Sequence, residues 1–193
     1  MAFFTAIGVI SNDIVRRETK NGVVTTFRLE TGAPRGRKLW IDIECWGQLA
    51  GTIAHHGGTG RAIHILGILK RATWRDRSTG AERSRLIVLA QDAVLLKRPL
   101  PFLPVNQISA VGRMRHLETT EVRGGFVVRF ELRSGHARSR AGVLELTCHR
   151  WQRMAIPIAE EDYFGVNGSL TFGRERTIIL RCQSEHLAEQ GVR

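Results

Sequence analysis

The chain states one pattern twice. Thr5-Ala6-Ile7-Gly8 returns as Ser109-Ala110-Val111-Gly112, and Phe27, Leu29 and Gly32 return 103 positions later as Phe130, Leu132 and Gly135. At that same spacing Asp42-Ile43 and Cys45 return as Glu145-Leu146 and Cys148, and at a spacing of 101 Gly67 matches Gly168. A tandem copy requires each half of the 193 residues to bury its own core. Between the halves, Lys97 to Val105 (KRPLPFLPV) carries Pro99, Pro101 and Pro104. Proline lacks an amide donor and fixes φ, so this stretch resists helix and interior sheet and makes a stiff, extended connection. The expectation is two domains, 1–98 and 106–193, joined by a Pro-rich linker at 99–105.

Each half reads as sheet. In the stretch Leu39 to Leu49, residues Leu39, Ile41, Ile43 and Cys45 alternate with Trp40, Asp42, Glu44 and Trp46, the period-two signature of a half-buried strand. Phe3 to Ile10 is a first strand, with Gly8 marking a bend or a close backbone approach. Lys20-Asn21-Gly22 is a turn, Val23 to Thr31 a second strand, and Gln48 to His56 a helix stopped by Gly57-Gly58. Ile63 to Ala72 and Arg85 to Leu89 are two further strands around a polar hairpin tip, Thr73 to Ser84. Three strands, a helix and two strands is the order of an OB barrel. The expected fold class is all-β: two tandem OB-fold barrels, each five-stranded with a short helix after strand three. In the second copy the 103-residue offset puts Val143 at the place of Trp40 and His149 at that of Trp46. Pro157 falls in its helix region, and only Gly173 to Arg176 separates its last two strands.

Composition narrows the function. Twenty-nine basic residues against 18 acidic give a net charge of +11. Residues 1–104 hold most of that excess, with 16 basic and 8 acidic residues. Such a surface favours polyanions, nucleic acid foremost, through counterion release. No apolar run is long enough to span a membrane, and the N-terminal MAFFTAIG has neither the basic lead nor the cleavage site of a secretory signal. Cys45, Cys148 and Cys182 are scattered, which argues for reduced thiols and a cytoplasmic location. His55-His56 and the glycines after them match neither a metal site nor a phosphate loop. Glu160-Glu161-Asp162 lacks a partner motif, and no nucleophile-elbow context surrounds any serine. The chain is expected to be no enzyme, with no cofactor and no metal.

Single-stranded nucleic acid exposes base faces and phosphates, so its binders place aromatic platforms beside cations. The first copy offers Trp40 and Trp46 on one strand face and Trp74 on the hairpin, while Trp151 in the second copy reads as a packing residue. Around the three platforms lie Arg28, Arg35, Arg37, Lys38, Arg61, Lys70, Arg71, Arg75 and Arg77. From Phe3 to Leu96 the chain resembles the bacterial single-stranded DNA-binding protein family. The resemblance rests on Gly8, on Asn21-Gly22 through Phe27-x-Leu29, and on Trp40-x5-Trp46-Gly47-x-Leu49-Ala50. Gly60 and Gly67-x-Leu69 leading to Trp74-x-Asp76 extend it. It implies that Trp40, Trp46 and Trp74 stack on bases while the neighbouring Arg and Lys take phosphates. It also implies a homodimer bringing four barrels together, and Leu86 to Ala90 (LIVLA) suits the shared interface.

The chain departs from the family pattern in several places. Asp42 and Glu44 stand between the strand tryptophans, and Gln48 and Thr73 stand where the family often has lysine. The C-terminal SEHLAEQGVR lacks the family's acidic tip, so partner recruitment through a tail is not expected. Two other readings stay open at this point. One is an accessory OB module for replication restart or RNA binding. The other is an oligomeric scaffold that has lost nucleic-acid binding, in which Asp42 and Glu44 would face no cationic groove and Trp40 would be buried in a subunit interface.

Overall fold

Alternation between core and solvent governs nearly every strand of the computed structural model, which describes residues 1–33, 36–97, 105–135, 143–152, 163–172 and 178–187. The chain divides into two compact units. One is Phe3–Asn106 and the other is Gln107–Arg193 together with Met1–Ala2. Among the described residues no helix is long and apolar enough to cross a membrane.

The first unit is built from β1 (Ala2–Ile10), β2 (Val15–Thr19), β3 (Gly22–Ala33), β4 (Arg37–Trp46), α1 (Gly47–His56), β5 (Ala62–Arg75) and β6 (Glu82–Leu95). β1 pairs antiparallel with both β3 and β5, β3 with β4, and β5 with β6. A short parallel pairing of β4 with β6 closes the ring. That cyclic order, β1-β3-β4-β6-β5, is the OB barrel, with β2 paired to β3 alone. Phe4, Ile10, Leu29, Leu39, Ile41, Ile43, Ile63, Ile65 and Leu69 fill it. α1 buries Ala50 and Ile53 against the barrel, and the Thr25 hydroxyl donates to the Ala50 carbonyl at 2.9 Å. The Gly57 amide caps the helix on the Ile53 carbonyl, at the stop expected from the sequence.

Three features differ from the sequence reading. β2 was not foreseen, because VRRET buries no side chain and so shows no apolar period. It pairs with β3 across the Lys20-Asn21 turn, so β1 and β2 together act as one broken strand. β5 and β6 also run further than expected, placing Trp74 within a strand opposite Arg83 rather than in a loop. The LIVLA segment is no open interface, since Ile87, Val88 and Ala90 are buried within the chain.

The second unit repeats the ring with β7 (Val105–Val122), β8 (Gly125–Gly135), β9 (Val143–Gln152), β10 (Tyr163–Phe172) and β11 (Ile178–Leu187). β7 pairs with β8 and β10, β8 with β9, β10 with β11, and β9 runs parallel to β11. Here one long strand, broken at a bulge where His116 adopts φ 52°, does the work of β1 and β2. A shared detail fixes the equivalence of the two barrels. The buried Thr31 hydroxyl donates to the Ile7 carbonyl at 2.7 Å, and the buried Ser134 hydroxyl donates to the Val111 carbonyl at 2.7 Å.

From that anchor the register corrects the repeat. Thr31 faces Leu39, whereas Ser134 faces Leu144, two residues further along than the constant offset allows. Trp40, opposite Glu30, therefore corresponds to Glu145, opposite Arg133, and not to Val143. Trp46, opposite Val24, corresponds to Trp151, opposite Val127, and not to His149. Cys148 takes the place of Ile43 rather than Cys45, and Trp151 lies within β9. Prolines 99, 101 and 104, the expected second helix around Pro157, the turn at Gly173 to Arg176 and the last six residues lie outside the described residues, as does Arg35.

Candidate nucleic-acid interface

The outer face of β3 and β4 forms a ladder of rungs: Thr26 opposite Glu44, Arg28 opposite Asp42, Glu30 opposite Trp40, and Gly32 opposite Lys38. Cross-strand neighbours on one face lie close enough to interact, so each rung sets a side-chain pair. Because Leu39, Ile41, Ile43 and Cys45 fill the core, Trp40 is forced outward and stands 41% exposed. Trp74, on the projecting β5–β6 hairpin, is 44% exposed, while Trp46 is half-buried.

Each carboxylate on this face is engaged. Asp42 accepts Arg28 Nε on Oδ1 at 3.0 Å and Arg85 Nη1 on Oδ2 at 2.7 Å. Glu30 takes Lys38 Nζ on Oε1 at 2.5 Å and the Trp40 indole N–H on Oε2 at 3.2 Å. Glu44 accepts the Trp46 indole N–H on Oε1 at 2.6 Å. Glu30 and Glu44 thus each anchor an indole ring, while Asp42 and Glu30 pair with neighbouring cations. Behind this face, burial and then the Glu44 charge push the Cys45 thiol up to about 12.

Arg85 ties this ladder to the hairpin. Its guanidinium carbon stands 5.5 Å from the Trp74 ring centroid while Nη1 holds Asp42. A cavity of about 520 Å³ opens beside Trp74, with Thr73, Arg75 and Gly80 in its walls. At the tip, Asp76 Oδ1 accepts the Ser78 hydroxyl and the Ser78 and Thr79 amides. Those bonds, the Ser78 hydroxyl first, hold its carboxyl below the ordinary range. Arg75 Nε donates to the Gly80 carbonyl at 2.9 Å, and Arg77 is exposed in the turn that Asp76 organises.

The structure therefore brings Trp40, Trp46, Arg28 and Lys38 together with Asp42 and Glu44, and joins Trp74 to them through Arg85. Arg37 opens β4 and is exposed. Arg71 reaches Ser84 Oγ from Nη1 at 3.3 Å, and Lys70 lies opposite Ile87 on β5. Arg61 is exposed just ahead of β5, with its carbonyl accepting the Ile10 amide. Among the described residues no contact ties the Arg61 side chain to the ladder. Sequence reasoning missed Arg85 and Glu30. The signal for Arg85 was the outward phase of Arg83 and Arg85 just before LIVLA, legible only once β6 was known to begin at Glu82.

Residues 1–96 match the model of the Single-strand binding protein family. A single-stranded DNA-binding protein of Thermosynechococcus vestitus is 38% identical over 52 residues, covering 27% of this chain and 43% of that protein. Single-stranded DNA-binding protein 1 of Synechocystis sp. is 35% identical over 78 residues, covering 38% of this chain and 64% of that protein. The chain thus spans 43% to 64% of the length of these curated relatives. Over its whole length it shares the fold of the wild-type single-stranded DNA binding protein from Thermus aquaticus, with a TM-score of 0.77, 18% identity and 95% of that chain covered. The match to the family model, together with a closed OB barrel carrying outward tryptophans, places the assignment in the first barrel: through residues 1–96 the chain belongs to the single-strand binding protein family.

Proposed function

We propose that this chain binds and protects single-stranded DNA, stacking bases on Trp40, Trp46 and Trp74 and taking phosphates on surrounding cations. Those cations are Arg28, Arg35, Arg37, Lys38, Arg61, Lys70, Arg71, Arg75 and Arg77, with Arg85 added from the structure. The observation that carries the reading is the outward, carboxylate-anchored Trp40 beside the Arg28–Asp42–Arg85 bridge that leads to Trp74. Stacking is sequence-tolerant and contributes about 1–3 kcal/mol per base. The role is to hold unpaired strands extended during replication, recombination, repair or transfer, with no catalytic step. The scaffold alternative loses ground because Asp42 faces a cationic groove, held between two arginines.

The first barrel supplies the main stacking surface, and the working form is a homodimer with four barrels. An uncovered apolar stripe supports that assembly: Phe3 is 51% and Leu66 46% exposed on the adjoining outer faces of β1 and β5. Light scattering reads the oligomer directly.

Titration with oligo-dT at low salt, following tryptophan emission, tests the binding. Quenching is expected, with an affinity loss of about 2–6 kcal/mol when Trp40→Ala and Trp74→Ala are combined. No quenching, or unchanged affinity in the double variant, defeats the proposal.

A further inference from the structure

The ladder also encloses a cavity of about 150 Å³ at the foot of β3 and β4, walled by Asn12, Arg28, Asp42, Glu44 and Arg85. Its polar atoms are not alike. Asn12 Oδ1 is occupied by the Arg28 amide, and both Asp42 oxygens carry a guanidinium. Glu44 is different. Its Oε1 is fixed by the Trp46 indole at 2.6 Å, and among the described residues no hydrogen bond reaches Oε2. A pinned carboxylate with an open oxygen is a directional acceptor, and here it stands beside guanidinium donors.

We infer that Glu44 makes this cavity a base-reading position that selects cytosine over thymine within a groove that otherwise tolerates any base. The inference rests on the single-stranded DNA reading above. Cytosine presents an exocyclic N4 amino donor, and a Glu or Asp acceptor for it is an established pairing. Its neighbouring N3 and O2 are acceptors, which meet the Arg28 and Arg85 guanidiniums. Thymine has O4, an acceptor, where cytosine has the amino group, so its oxygen would face the Glu44 carboxylate. A buried or half-buried acceptor left without a donor carries a desolvation cost, and that cost is the source of discrimination. Glu44 is here a specificity-determining residue, and Trp46 is the group that aims it.

The test compares equal-length dC and dT oligomers by tryptophan quenching at pH 8 and one salt concentration. The wild-type protein is expected to bind dC several-fold more tightly. In Glu44→Gln the amide oxygen must turn to the Trp46 N–H, which presents the amide NH₂ to the cavity. The preference then inverts towards dT. An oligomer of N4,N4-dimethylcytosine, which lacks the donors, should lose the advantage on the wild-type protein without any change to the chain. Equal binding of dC and dT by the wild type overturns the inference and leaves DNA binding standing. A dC-to-dT ratio unmoved by Glu44→Gln, including the case in which both affinities change by the same factor, also overturns it. Absence of quenching by either oligomer defeats the binding proposal itself.

Discussion

Asp42 holds two arginines that the proposed DNA track needs, so replacing it should strengthen the salt dependence of binding. Its oxygens accept Arg28 Nε at 3.0 Å and Arg85 Nη1 at 2.7 Å, and its side chain is 20% exposed. Asp42→Asn keeps the shape and removes the charge, leaving two guanidiniums to seek phosphate oxygens. Each phosphate neutralised on a single strand adds about 0.7 to the slope of log affinity against log salt, so the variant's slope should be steeper by up to about 1.4. Between 50 mM and 200 mM NaCl that difference amounts to an extra loss of about sevenfold in affinity. At the low-salt end the variant should bind more tightly than wild type. The cost to folding is small, since exposed ion pairs contribute about 0–1 kcal/mol each. A melting shift of several degrees is therefore expected for the first barrel, about 4–8 °C per kcal/mol for a domain of roughly 100 residues. Oligo-dT titrations at four or five salt concentrations give both slopes. Identical slopes would refute the reasoning, because they would mean that neither arginine reaches phosphate once released.

Other outcomes follow from the core. A Cβ at Gly8 would collide with the Glu30 carbonyl and the Leu29 side chain, so Gly8→Ala should destabilise by about 1–3 kcal/mol in urea unfolding. Gly112, whose Cβ would meet the Arg133 carbonyl, should behave alike in the second barrel. Cys45 stays protonated when folded up to about pH 12, while the unfolded thiol ionises near 9. Unfolding then releases a proton across that window, so stability should hold below pH 9 and fall above it by up to about 1.4 kcal/mol per pH unit, a slope Cys45→Ala should flatten. His149 has its pKa lowered by burial and then by Arg129 and Arg181. The unfolded ring binds a proton more readily, so stability should be full above the ordinary histidine range and fall as pH drops below it. Denaturant midpoints at pH 7.5 and 5 in wild type and His149→Asn would show this.

The parts of the fold that bury a regular apolar face were legible in the sequence. Leu39 to Cys45 showed its inward set, Gly8 its close approach, and Gly57-Gly58 the helix stop. β2 was not legible because it buries nothing, and its order comes from backbone pairing with β3. At the site, outward tryptophans beside basic residues could be seen from residue type alone. The pairing of Asp42 with Arg28 and Arg85 could not, since Arg85 reaches it through the parallel β4–β6 closure, a contact between distant segments. The repeat was recognised, but its constant offset hid a slip that only hydrogen-bond register reveals.

That slip bears on how paired barrels can diverge. Moving one strand by two residues preserves its parity, so Leu144, Leu146 and Cys148 still point inward where Leu39, Ile41 and Ile43 do. A move of one residue would turn the core face out and unfold the barrel. The outward positions, by contrast, are redealt at each even step: Glu145 where the first barrel has Trp40, Thr147 for Asp42, His149 for Glu44. Loop length between β8 and β9 is thus a dial with only even settings. Turning it exchanges the chemistry of a whole groove in one stroke and leaves the interior untouched, a route to new ligand preference for natural duplication and for engineers alike.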